Sequence, residues 1–94
     1  MARSEPRALL TPTLIKAARS LLQMDQSALA AAVGLSRKTI ISAETALQDD
    51  VDPRRRVVME RIREVLETRL QVEFRFASDS QGEGVLLNRP RKAR

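Results

Sequence analysis

The chain has 94 residues, 43% of them apolar, and carries 17 Lys and Arg against 12 Asp and Glu for a formal net charge of +5. It contains no Cys and no His, which removes disulfides, thiolate or imidazole metal sites, and Cys- or His-based nucleophilic catalysis. No glycine-rich phosphate loop or paired acidic motif takes their place, so the expectation is a non-enzyme with no metal and no cofactor.

Residues 1–10, with Arg3 and Arg7 around a proline, read as a flexible N-terminal arm. A first helix is predicted from "TPTLIKAARSLL": Thr11 caps, and Pro12 takes the first helical position, where a missing N–H costs nothing. Leu14, Ala17, Ala18, Leu21 and Leu22 recur at three- and four-residue spacing and predict its buried stripe. Asp25 caps a second helix over about Gln26 to Val33, with Leu29, Ala30 and Val33 inward. Gly34 stops it, because the residue just past a helix commonly needs positive φ. Ser36 caps a third helix running to about Thr45, with Ile40 and Ala43 inward.

"LQDDVD" is a loop, and Asp52 followed by Pro53 restarts a helix over about 53 to 70. Its inward set is Val58, Ile62, Val65, Leu66 and Leu70. After Gln71 the period falls to two: Val72, Phe74 and Phe76 alternate with Glu73 and Arg75, which predicts a strand with one buried face. "ASDSQGEG" is turn-like and "VLLN" returns as a second strand, giving a hairpin over 72–88. With only two aromatics, the core falls to Leu, Ile, Val and Ala, which suits packed helices. The fold class is therefore mainly α: four to five helices with a short C-terminal β-hairpin, one domain over 11–88, and a basic tail at 89–94.

Charge is unevenly spread. Residues 1–47 hold six Lys/Arg against three Asp/Glu, residues 48–88 hold seven against nine, and residues 89–94 hold four cations and no acid. A basic front and tail favour a polyanion. Arg54, Arg55 and Arg56 form a second basic group at a helix start, with two open readings: contact to phosphate, or pairing with Asp49, Asp50 and Asp52. No apolar run approaches the roughly 20 residues of a membrane span, and no secretory segment follows the start. The expectation is a cytoplasmic, nucleoid-associated protein with no membrane contact.

Within "QSALAAAVGLSRKTIISAE" the spacing of Gln26, Ala30, Gly34, Ile40 and Glu44 has a physical logic. Ala30 is small because the third helix crosses close above it, Gly34 permits the sharp turn, and Ile40 plugs the angle between the helices. This stretch resembles the helix-turn-helix of the lambda-repressor-like, XRE-type family of bacterial and phage transcription regulators. Residues 11–47 match well. Residues 57–87 match in pattern a small single-domain subgroup with a C-terminal "VEF" strand. The loop from 45 to 53, with its three aspartates, is longer than the family pattern.

The resemblance implies an Arg19–Glu44 structural pair and a third helix that enters the DNA major groove. Arg37, Lys38, Thr39, Ile41 and Ser42 would then face base edges, Arg or Lys to guanine being the commonest specific contact. Ile41 has an equal reading as a packing residue. Gln26, Ser36, Arg54 and Arg55 would contact phosphates. Cations at a helix start oppose the local dipole by a few tenths of a kcal/mol, which a polyanionic partner would explain.

The family further implies a homodimer on a palindromic site. The candidate interface is Leu66, Leu70, Val72, Phe74 and Phe76, whose strand edge would meet its mate; the other reading packs these residues within one chain. The expected function is a sequence-specific regulator of double-stranded DNA, a repressor or autoregulator. The competing expectation is an antitoxin-like protein whose main partner is another protein.

Overall fold

The computed structural model describes residues 10–46 and 52–88. The expectations for the arm before Leu10, for Asp49 and Asp50 and for the tail 89–94 lie outside the described residues. Four helices and one antiparallel hairpin follow one another: α1 (Pro12–Leu22), α2 (Gln26–Val33), α3 (Arg37–Thr45), α4 (Pro53–Thr68), β1 (Val72–Arg75) and β2 (Gly84–Leu87).

Every helix starts on a cap legible in the sequence. Thr11 Oγ1 accepts from the Leu14 amide at 3.2 Å, and Asp25 Oδ1 from Ala28 at 2.8 Å. Ser36 Oγ accepts from Thr39 at 3.1 Å, and Asp52 Oδ1 from Arg54 at 2.9 Å. Each cap satisfies one of the amides that a helix N-terminus leaves without an internal partner. Pro12 and Pro53 occupy first-turn positions, as expected. The ends differ: α1 closes on Gln23 in the left-handed region, at φ 57°, and α2 closes on Gly34, at φ 75°.

Gly34 is the tighter constraint. Its N–H reaches the Ala31 carbonyl and the Leu35 N–H reaches Ala30, which closes α2 and reverses the chain into α3. A Cβ at position 34 would stand 3.1 Å from Arg61 Nη2 of α4. Gly34→Ala is therefore expected to destabilise the fold by about 1–2 kcal/mol, mostly through left-handed strain, as read from the shift of a urea unfolding midpoint.

The core runs from α1 across α2 and α3 to α4 and the hairpin. Leu14, Ile15, Leu29, Val33, Ile40, Ile62 and Leu66 are its largest fully buried side chains. Two predicted stripes are rotated. On α1 the buried set is Leu14, Ile15 and Ala18, while Leu21 is 45% exposed. The face centres between residues 14 and 18, so Ile15 belongs to it and Leu21 falls past its edge. On α4, Met59 is buried and Val58 only half-buried. Leu10, assigned to the flexible arm, is 4% exposed and packs into the core.

The helix α4 ends at Thr68, two residues before the expected boundary, and Gln71, at φ 61°, turns the chain into β1. The strands pair in the register Val72–Leu87, Glu73–Leu86, Phe74–Val85 and Arg75–Gly84. Val72 and Phe74 face inward, as the alternation predicts. They face the chain's own helices: β1 packs against α4 and β2 against α1. Arg63 of α4 lies over the Phe76 ring, 4.6 Å from its centroid, and also binds Glu67 at 3.0 Å.

Of the two readings of Leu66, Leu70, Val72, Phe74 and Phe76, packing within one chain describes their side chains. The side chains of Leu66, Val72 and Phe74 are buried in the chain's own core, and Leu70 and Phe76 pack against it half-buried. A two-stranded hairpin is marginal alone, and it gains its stability here from the groove between α1 and α4. Among the described residues no helix is long and apolar enough to cross a membrane.

Candidate nucleic-acid interface

Helices α2 and α3 are eight and nine residues long, too short to persist alone, so their angle is set by what they bury. Leu29, Ala30 and Val33 of α2 meet Ile40 and Ala43 of α3 in the core. A polar clamp fixes the other side of the joint. Glu44, 4% exposed, accepts from Arg19 Nε at 2.7 Å and Nη2 at 3.0 Å, a bidentate geometry. Arg19 Nη1 also donates to the Met24 carbonyl at 3.2 Å, tying α1 to the turn before α2. The bond to Glu44 holds the Arg19 guanidinium above the usual arginine range, against desolvation, with further support from the Glu44 and Asp25 charges.

Gln26 joins this clamp. Its Nε2 donates to Glu44 Oε1 at 3.1 Å, so the amide expected to reach a phosphate is engaged inside the chain. Among the described residues no buried side-chain nitrogen or oxygen is left without a partner. Buried charge is tolerable only when satisfied in this way.

With its inner face so fixed, α3 turns its first residues outward. Ser36, Arg37, Lys38 and Ser42 are exposed, and Thr39 and Ile41 are half-buried. Arg37 and Lys38 make no ion pair or hydrogen bond among the described residues. Thr39 Oγ1 lies 2.8 Å from Ser36 Oγ, so these two hydroxyls serve the cap as well as the surface. No acidic residue stands in the first turn of any of the four helices.

Two shallow hollows flank the tip of α3. One, of about 330 Å³, lies between α3 and the start of α4 and is lined by Lys38, Thr39, Ser42, Asp52, Arg54 and Arg55. The other, of about 530 Å³, opens toward α2 and is lined by Arg19, Gln26, Ser27 and Arg37 beside Asp25. The structure thus groups most of the residues singled out from the sequence on one face, at the N-terminal ends of α2, α3 and α4. Arg54 and Arg56 are exposed there, whereas Arg55 turns back and donates from Nη1 to the Ser42 carbonyl at 3.0 Å. Asp52 serves as the cap of α4.

One contributor is absent from the sequence reading. Arg61 Nε donates to the Val33 carbonyl at 2.8 Å and so satisfies the end of α2 from α4. Cations favour helix C-termini, but this one is 28 residues away along the chain and no local pattern flags it. The face offers cations, hydroxyls and helix amides, groups whose chemistry suits an anion. Among the described residues no group of three or more acidic side chains is arranged to hold a metal ion. Neither a family model nor a curated relative matches the sequence.

Proposed function

We propose that this chain is a sequence-specific double-stranded-DNA-binding regulator of the lambda-repressor-like type, a repressor or autoregulator that acts as a homodimer on a palindromic operator. The observation that carries the reading is the tip of α3: Arg37 and Lys38, exposed and unpaired among the described residues, on a helix whose opposite face is locked by Ile40, Ala43 and Glu44. A rigid helix with two cations against its own dipole suits a groove lined with acceptors and phosphates.

In this reading Arg37 and Lys38 contact base edges from the start of α3, with Ser42 one turn further along. Thr39 and Ile41, half-buried, contribute their edges to the same surface. Ser36 and Arg54 approach the phosphates on either side, Arg54 across the hollow it shares with Lys38. Arg55 holds the hollow's wall through Ser42. Arg19, Gln26 and Glu44 are scaffold.

The test is selection of bound sequences from a random DNA pool, followed by affinity measurement on the recovered site at several salt concentrations. A palindromic consensus is expected, with affinity falling steeply as salt rises. In Arg37→Ala/Lys38→Ala, preference for that site over random DNA is expected to fall by roughly a hundredfold, at about 1–3 kcal/mol for each lost base contact. Arg54→Ala is expected instead to weaken all DNA alike and to lower the salt slope by about one. Unchanged site preference in the double variant would remove α3 as the reading element.

A further inference from the structure

We infer that the outer edge of β1 pairs with β1 of a second copy, in an antiparallel register centred on Phe74. The inference deepens the homodimer of the proposed function and rests on it for the identity of the partner.

The main chain supplies the first observation. The Asn88 amide donates to the Gln71 carbonyl at 2.7 Å. In an antiparallel ladder the pairs that exchange hydrogen bonds alternate with pairs that do not. With the observed register, Glu73–Leu86 and Arg75–Gly84 are then the exchanging pairs. The amides and carbonyls of Val72 and Phe74 therefore point away from β2. Neither residue has a hydrogen bond outside the hairpin ladder among the described residues, although Phe74 is only 8% exposed. A row of outward-pointing N–H and C=O groups on a strand edge is a template for another strand.

Charge supplies the second. When Phe74 of one copy stands opposite Phe74 of the other, Glu73 falls opposite Arg75 and Arg75 opposite Glu73. Those two positions are non-exchanging pairs in the new ladder, where side chains lie closest. Within one chain Arg75 and Glu73 meet only loosely, at 3.9 Å, with their side chains 56% and 47% exposed. Glu73 Oε1 also accepts from Asn88 Nδ2 at 2.7 Å, which leaves its other oxygen and the Arg75 guanidinium facing an opposing strand. The outer edge of β2 has no such pattern, since Gly84–Leu87 contains no charge.

The product is a four-stranded sheet in the order β2, β1, β1, β2, with its inner face on the helices of both copies.

The experiment is sedimentation equilibrium of the full chain without DNA, across a concentration series. The wild type is expected to self-associate. Glu73→Arg and Arg75→Glu each set like charges opposite one another twice, and each is expected to raise the dimer Kd by roughly tenfold or more. An equimolar mixture of the two variants places opposite charges at both positions and is expected to associate about as tightly as wild type. Both substitutions are on exposed side chains, so helical circular dichroism is expected to stay unchanged in each. A wild type that remains monomeric throughout, or single variants that associate as wild type does, overturns the inference. Selection from the DNA pool reads the tip of α3 separately, so loss of the strand pair and loss of DNA recognition give different results.

Discussion

Glu44→Ala is expected to destabilise the protein by about 3 kcal/mol, the lower end of what removing one partner from a buried ion pair does. The carboxylate accepts two bonds from Arg19 and one from Gln26, and all three donors lose their acceptor together. The lower end applies because the Arg19 side chain is 21% exposed and water can reach it in the variant. For a chain of this size that loss corresponds to a fall of roughly 12–20 °C in Tm, measured by calorimetry or thermal circular dichroism. Replacing both partners with apolar residues, Arg19→Met with Glu44→Met, is expected to restore much of the loss, because no stranded charge remains. The Arg19 contribution persists into mild alkali. Since the folded-state pKa of Arg19 is raised, its contribution is complete below the unfolded value and is lost only as pH rises through the folded one. Wild-type stability is therefore expected to show no loss from Arg19 between about pH 7 and 10.

The second large effect is expected at Ile62. It is fully buried on α4, the helix that touches α2, α3 and β1. Ile62→Ala removes three carbons at this junction and leaves a cavity, at about 2–5 kcal/mol. Ile62→Val removes one carbon and is expected to lose about 1 kcal/mol. Val57→Ala, on the same helix at a residue 70% exposed, is expected to stay within about 0.5 kcal/mol of wild type. Urea unfolding followed by helical circular dichroism ranks the three. An Ile62→Ala midpoint as high as that of Val57→Ala would mean that α4 is not the keystone of the core.

The parts of the molecule that could be read in advance are those fixed by local chemistry. Thr11, Asp25, Ser36 and Asp52 each cap within three residues of their own position, and Gly34 turns the chain where its backbone must be left-handed. Spacing therefore locates the helices and their starts, whereas the nearness of Arg54 to Lys38 across one hollow is tertiary. Rotation about the helix axis was less legible. Ile15 and Met59 are buried because of what lies opposite them, which no single helix encodes. The same reason hides what covers Val72 and Phe74: alternation shows that one face of a strand is covered, without showing by what. Gln26 is the clearest case at the candidate site. A polar residue at a helix start gives no local sign that a buried carboxylate 18 residues away takes one of its amide N–H groups.

The two arginines that α4 sends back to α2 and α3 have a mechanical consequence. Arg61 grips the last carbonyl of α2 and Arg55 grips a carbonyl near the end of α3, from points six residues apart on one rod. A rod tied to both arms of an elbow acts as a splint. The elbow cannot flex without breaking a tie, and α4 cannot fray at its start without loosening α3. Amide hydrogens in α2 and α3 should accordingly exchange with solvent only as α4 itself unfolds, whatever the short length of the two helices would otherwise allow.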